Sequence, residues 1–325
     1  MHGYLRRRTL FAAGAAFAVA ASQRAAAQQG FPSRLIRIVH GYDAGSNPDV
    51  IARHLAQPLT ELLGQQVAVD PKPGAAERVA AAMVARAPAD GHTLYLMTGG
   101  QAAVSAIDPA LPYDALRDFA FISTVTRFPF VLVVAPDSRF TTLADYLAAA
   151  RREPGKLSYG SSGIGGTLHL TIELLRGQAG VDLLHVPYKG NPAQPLGDLT
   201  TGRLDLHVIT VTGAQPLLKA GKVRALAVTS KERSSHFPDV PAVAETVPGF
   251  DVVSWLGFTA PAGVPAAIID RLAAAIRTAV DQPAVRQRLE ELGNEVYAGT
   301  PAAFRERVAA DIAKWKPLAR ILNSQ

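Results

Sequence analysis

The sequence predicts a two-lobed α/β protein, and three observations carry that expectation. Its 325 residues exceed what one hydrophobic core ordinarily fills. Short apolar runs such as Ile36-Arg-Ile-Val39 and Thr93–Met97 alternate with longer runs of helical period. Two glycine-containing loops, each leading from a strand into a helix, stand about 120 residues apart. Strand-to-helix loops of open α/β sheets gather where ligands sit, beyond the carboxyl ends of the strands. The rest of the chain reads as scaffold for a cleft between those loops.

The first 27 residues are set aside as a secretory signal peptide. Arg6-Arg7-Arg8 leads into twelve apolar or glycine residues, Leu10 to Ala21, and Ala25-Ala26-Ala27 offers a small-residue cleavage site. Arg7-Arg8-Thr9-Leu10-Phe11 also resembles a twin-arginine signal, so the Sec and twin-arginine routes both stay open. Either route leads to the periplasm, with cleavage near Ala27. The segment holds four arginines and no acid, and its loss lowers the formal charge from +6 to +2. No run of Lys/Arg remains, so no nucleic-acid partner is expected. With no cysteine, a disulfide framework, a thiol nucleophile and a thiolate metal site are all excluded. Beyond Ala27 no apolar run approaches membrane-spanning length, and a soluble monomer is expected.

In chain order, the strand Ile36–Val39 opens into the loop His40-Gly-Tyr-Asp-Ala-Gly-Ser46. Asn47 reads as N-cap and Pro48 as the first helical residue. The helix from Asp49 places Val50, Ile51, Leu55, Leu59, Leu62 and Leu63 largely on one face, and Gly64 ends it. Pro58 should kink or interrupt it. A strand at Gln66–Asp70, a turn at Pro71–Gly74, an alanine-rich helix from Glu77 to Arg86 and the strand Thr93–Met97 follow. Thr98-Gly-Gly-Gln101 then reads as a third loop at the cleft. Phe130–Ala135 is apolar throughout, as a strand buried on both faces would be, and crosses into the second lobe.

There a helix capped by Thr142 runs to Arg152, and the strand before the second loop ends at Tyr159-Gly160. That loop, Gly160–Gly166, feeds a helix to about Leu175. Strands at Leu183–Tyr188, Leu204–Ile209 and Val223–Thr229 complete the set, with Lys189 at the cleft rim. Val252–Phe258 returns to the first lobe, where helices at Pro265–Val280, Pro283–Leu292 and from Thr300-Pro301 pack. The expected division is residues 28–130 plus 253–325 for lobe 1 and 131–252 for lobe 2.

Glycines allow backbone N–H groups to approach a ligand, and the unpaired N–H groups of a helix start favour an anion. Enzyme motifs fit the second loop poorly. A phosphate-binding P-loop would need lysine where Gly166 stands. A nucleophile elbow would need glycine where Ile164 stands, and a dinucleotide fingerprint would need it where Leu168 stands. An ordinary glycine-rich turn is the alternative to an anion loop. His40, His54, His185 and His207 read as hydrogen-bonded core or surface residues, since none shows metal-ligand spacing. His169, near the start of the second helix, either lines the cleft or bonds across the hinge. Asp49 serves as a cap or a ligand contact, and Trp255 as a core anchor. Asp43 points outward or meets a donor on the ligand.

An ordered set of landmarks runs through Asp49-Val-Ile-Ala-Arg53, Leu63-Gly-Gln65, Ala89-Asp-Gly-His-Thr-Leu94, Leu111-Pro-Tyr-Asp114 and Pro154-Gly-Lys-Leu157. It continues through Tyr159-Gly-Ser-Ser162 with His169, His185-Val-Pro-Tyr-Lys-Gly190, Ala220–Val228, Pro238-Asp-Val-Pro241 and Ser254-Trp255. This ordered set resembles the Bug family, the periplasmic receptors of tripartite tricarboxylate transporters. The resemblance implies a type II periplasmic-binding-protein fold, each lobe a mixed, mostly parallel sheet flanked by helices. It further implies a receptor without catalysis or cofactor, and a small carboxylate held between the lobes for a membrane transporter. Ligand contact falls on Tyr42, Asp43, Ala44, Gly45, Ser46 and Asn47, then Ser161, Ser162, Gly163 and Thr167. Gln101, His169 and Lys189 complete the expected set. Relatives commonly show a proline followed by two or three glycines in the first loop, where the segment Asp43-Ala-Gly-Ser-Asn-Pro48 of this chain keeps one glycine, Gly45, and adds Asp43. Mono-, di- and tricarboxylates therefore stay open. A receptor serving a sensor kinase and a serine hydrolase using Ser162 and His169 are the alternatives.

Overall fold

The computed structural model describes residues 30–161, 163–188 and 193–319. The expected signal segment, Ser162 and Lys189 lie outside the described residues. The chain begins β1 (Ile36–His40), α1 (Asn47–Leu63), β2 (Val67–Pro71), α2 (Arg78–Ala85), β3 (Thr93–Thr98) and α3 (Gly99–Ile107). β1 pairs in parallel with both β2 and β3, so the loops after β1 and β3 leave the sheet at the same end. α1 buries Ile51, Leu55, Leu59 and Leu63 along one stripe, each contributing about 1.5–3 kcal/mol by leaving water. It runs through Pro58 without interruption and stops at Gly64, whose φ of 69° only glycine adopts without strain.

The next strand, β4, runs from Phe119 to Val134 and belongs to two sheets. Residues Phe119–Pro129 pair antiparallel with β9 (Val253–Pro261), whereas Phe130–Val134 pair with β7 (Leu206–Thr210) and β8 (Arg224–Val228). Between them come α4 (Leu143–Arg152), β5 (Ser158–Ser161), α5 (Thr167–Ala179), β6 (Leu184–Pro187), α6 (Ala193–Thr200), α7 (Val211–Lys219) and α8 (Val243–Thr246). After β9 come α9 (Ala266–Asp281), α10 (Pro283–Glu291), β10 (Glu295–Val296) and α11 (Pro301–Trp315). The result is two α/β lobes. The two crossing strands are tied together by Thr229, which is fully buried. Its hydroxyl accepts the Phe130 N–H at 2.8 Å and donates to the Val252 carbonyl at 2.7 Å.

Sequence periodicity misses the first eleven residues of β4, and Pro129 accounts for part of that. Proline is costly inside a sheet, yet here it sits where β4 passes from one sheet to the other. Two register shifts, at Phe121/Ser123 and Thr124/Thr126, break the alternation that marks a strand. Trp255 anchors a second core with Phe304, their rings 5.1 Å apart and edge to face, while its Nε1 donates to Asp311 at 2.6 Å. Gly257 leaves room for that contact, since a Cβ there would lie 2.5 Å from Phe304 Cζ.

Candidate functional site

The first loop is held from below by two buried acids. Asp49 takes the Gly45 N–H at 2.9 Å, Arg53 Nε at 2.9 Å and His40 Nε2 at 3.2 Å. Burial opposes its ionisation, but Arg53, the Gly45 N–H and His40 together hold its carboxyl below the ordinary value. His40 accepts the Tyr42 N–H on Nδ1, so its proton sits on Nε2, and burial keeps the ring neutral. Asp49 is therefore the brace of the loop rather than its cap. Asp43, Ala44 and Gly45 are exposed above it.

The cap is Ser46, not Asn47. Ser46 has extended backbone geometry, and its buried Oγ has no hydrogen-bond partner among the described residues. Asn47 turns its amide the other way: Oδ1 accepts the Thr212 hydroxyl at 2.7 Å, and Asn294 lies 3.2 Å away. Those partners are 165 and 247 residues distant in sequence, so local cap chemistry could not reveal them.

The second acid is Glu77, at the start of the alanine-rich helix. It is fully buried and accepts hydroxyl protons from Tyr42 (2.8 Å), Tyr95 (2.9 Å) and Thr98. Burial pushes its carboxyl up to about 7 against these three bonds. Ala75, Ala76 and Glu77 all have positive φ (46°, 50° and 71°), a conformation that costs a side-chain-bearing residue ~1–2 kcal/mol. An acid at the start of an alanine-rich run carries no local sign of such a role.

Thr98–Gln101 is not a loop. Thr98 caps α3 by accepting the Gly100 N–H at 2.9 Å, and the helix starts at once. Gly100 is there because a Cβ would lie 2.3 Å from Glu77 Oε1. Gln101 is fully buried, its amide 3.0 Å from the Tyr113 hydroxyl and 3.2 Å from Ser105 Oγ. Its side chain thus belongs to the wall of lobe 1 rather than to the cleft surface.

The second loop leaves β5 at Ser161 and enters α5 at Thr167, with Gly163 and Gly165 at φ of 128° and 78°. Ser161 is fully buried, and its Oγ sits 2.8 Å from His185 Nε2 and accepts the Gly163 N–H at 3.3 Å. His169 Nδ1 accepts the Gly165 N–H at 3.1 Å. Thr167 is 9% exposed, and its Oγ1 has no partner among the described residues. His207, also buried, bonds the Gly160 carbonyl through Nδ1 at 3.0 Å, and burial pulls it down to about 4. Among the described residues no group of three His, Cys, Asp or Glu side chains could hold a metal, and no helix is long and apolar enough to cross a membrane.

The lobes touch on two sides of these loops. On one, Thr212 at the start of α7 reaches Asn47 and the Leu292 carbonyl. On the other, Gly165 comes close against lobe 1, where a Cβ would lie 2.8 Å from Ile107 Cδ1. Each lobe thus offers a helix start with a buried, unsatisfied hydroxyl: Ser46 at α1 and Thr167 at α5. A carboxylate meeting such donors gains charge-assisted hydrogen bonds worth ~1.5–3 kcal/mol each.

Comparison with known proteins places this architecture. A family model described as the tripartite tricarboxylate transporter family receptor matches residues 51–323. A protein encoded in the tcbD-tcbE intergenic region of Pseudomonas sp. (strain P51) is 39% identical over 316 residues, covering 96% of this chain and 93% of that one. Among solved structures, MatC from Rhodopseudomonas palustris with bound malate superposes with a TM-score of 0.82 at 31% identity, covering 89% and 100% of the two chains. An R. palustris protein with adipate gives 0.84 at 34% identity, covering 90% and 98%. On the family match over most of its length, and on relatives above 30% identity that span it almost end to end, the chain belongs to the tripartite tricarboxylate transporter receptor family.

Proposed function

We propose that the protein is a periplasmic receptor that closes two lobes on a small organic carboxylate and delivers it to a tripartite tricarboxylate-type transporter, without transforming it. The observation that carries this reading is the pair of buried hydroxyls, Ser46 Oγ and Thr167 Oγ1, each without a partner among the described residues and each at a helix start in a different lobe. A buried hydroxyl left unpaired costs ~1–3 kcal/mol, and a carboxylate bridging the loops would satisfy both. The solved relatives that hold malate and adipate support this ligand class. The proposed contacts are Tyr42 through Asn47, Ser161 to Gly163 and Thr167, with Lys189 at the rim. For Asn47 and Ser161 the backbone is the proposed contact, because their side chains are already engaged. Gln101 and His169 act from behind the surface. Lobe 1 is taken as residues 28–130 plus 253–325 and lobe 2 as 131–252, turning about the crossing strands.

Closure requires that the ligand bind the closed form better than the open one. Native mass spectrometry of protein purified gently from periplasm, repeated after denaturation and refolding, tests the reading. A carboxylic acid that disappears on refolding supports it and names the ligand. A protein without such a mass, whose melting temperature no organic acid raises, including malate and adipate, would overturn it.

A further inference from the structure

Three aromatic rings form one pile beneath the second-lobe loop. Tyr159 from β5 stacks on His185 from β6, with centroids 4.8 Å apart and planes 20° from parallel. His185 stacks in turn on His169 from α5 at 4.0 Å and 16°. Each imidazole grips a different point of the loop, His185 at the Ser161 hydroxyl (2.8 Å) and His169 at the Gly165 N–H (3.1 Å). Because His169 Nδ1 is an acceptor, its ring proton resides on Nε2. That nitrogen is buried, has no hydrogen-bond partner among the described residues, and lies 3.7 Å from Glu173 Oε1. Glu173 is itself occupied, taking the Tyr159 hydroxyl at 2.5 Å and Arg176 Nη1 at 2.7 Å.

We propose that His169 and His185 are positioning residues that hold the second-lobe loop in its anion-binding form, and that adding a proton to His169 releases it. The words anion-binding rest on the receptor reading above; the grip and its release do not. A protonated His169 carries N–H on Nδ1, directly opposite the Gly165 N–H, and two donors cannot share that contact. The loop must then turn away, which its flanking glycines allow. The Ser161 hydroxyl and the Gly165 N–H are committed to the rings, which leaves Thr167 Oγ1 and the helix-start N–H groups for a ligand.

The surrounding charges decide when release occurs. Arg176 lies on the same helix as His169, and the Arg78–Asp108 ion pair reaches the loop from lobe 1, Arg78 Nη2 being 3.9 Å from a Cβ built on Gly165. His185 faces the ring directly and Tyr159 lies stacked 6.3 Å from it, while His207 on β7 holds the Gly160 carbonyl where the loop begins. Glu173 favours a proton on His169, but its charge is already shared with Arg176 and Tyr159. Burial therefore wins: His169 is lowered from its ordinary value, and His185 falls to about 3. The loop stays gripped at neutral pH and lets go on the acid side.

Nitrogen NMR on the ¹⁵N-labelled full chain, without ligand, tests this between pH 8 and 4. We expect coupling across the N–H···N bond between Gly165 and His169 Nδ1, and hydrogen exchange at Gly165 slowed about tenfold. Both should vanish in the same pH step that protonates the His169 ring. His169→Leu should lose the Gly165 protection at every pH. His169→Asn places an amide oxygen where Nδ1 sits, and should restore the protection and carry it through the acid range. A proton on Nδ1 at neutral pH, or Gly165 exchange indifferent to the ring's titration, overturns the proposal, and the unsubstituted protein alone decides it if His169→Leu does not fold. Absence of any bound acid would sink the receptor reading and leave these readouts intact.

Discussion

Asn47 Oδ1 accepts the Thr212 hydroxyl at 2.7 Å, joining the first turn of α1 in one lobe to the first turn of α7 in the other. The same hydroxyl lies 2.8 Å from the Leu292 carbonyl, so one proton serves a forked bond at the lobe junction. Gly293 lets this approach happen, since a Cβ there would lie 2.9 Å from Val211 Cβ. Thr212→Val keeps the shape and removes the bond. It is expected to lower stability by ~1–3 kcal/mol, measured by urea unfolding at neutral pH. An unchanged midpoint would show that the junction is carried by packing alone.

Ser46→Ala and Thr167→Val should separate binding from stability. Neither hydroxyl has a partner among the described residues, so removing it costs folding little and relieves an unsatisfied group. Stability should stay within about 0.5 kcal/mol or rise. Affinity for the native ligand, measured by calorimetry, should fall by about tenfold for each. Equal losses of stability and affinity would mean the hydroxyls serve the fold.

Glu77 makes stability depend on pH with a definite sign. Its folded value of about 7 lies above the ordinary 4.5, so the folded protein favours the protonated acid. That contribution is complete below pH 4.5, declines as pH rises through 7, and is lost above it. Glu77→Gln should flatten the decline, whose full size is up to about 3 kcal/mol, in urea titrations from pH 5 to 8. A slope unchanged by the substitution would place the titrating group elsewhere.

Gly257 and Phe304 should behave as a coupled pair. Gly257→Ala drives a methyl to 2.5 Å from the Phe304 ring and should cost ~1–3 kcal/mol. Adding Phe304→Leu should recover part of that loss, giving a coupling energy of ~0.5–3 kcal/mol in a double-mutant cycle. Strict additivity would mean that β9 shifts to accommodate the methyl.

What could be read in the sequence was what local chemistry encodes. The strand-to-helix loops announced themselves through Gly45, Pro48, Gly163 and Gly165, and the capping box at Thr142 and Asp145 lies within four residues. Contacts made over long separations stayed hidden. Asn47 reads as a cap because Thr212 and Asn294 are remote, and Thr98-Gly-Gly-Gln101 reads as a loop at the cleft until Thr98 is seen capping α3. Glu77 gives no sign at all: its three hydroxyl partners sit on the first loop and on β3, and its positive φ belongs to no expected pattern for a glutamate.

Because β4 serves two sheets, the two lobes cannot be completed in the order in which they begin. The strands that pair with its second half, β7 and β8, end by Val228, so that sheet closes from contiguous chain. Its first half needs β9, which starts only at Val253, and β3 needs the same strand on its other edge. The lobe begun first must therefore wait, with β3 unpaired on that side, until the inserted lobe has been made. Loop closure across the insertion is the slow step that such topology imposes. A chain cut short before Val253 should yield one finished sheet and one exposed edge, the form of this protein most prone to aggregate.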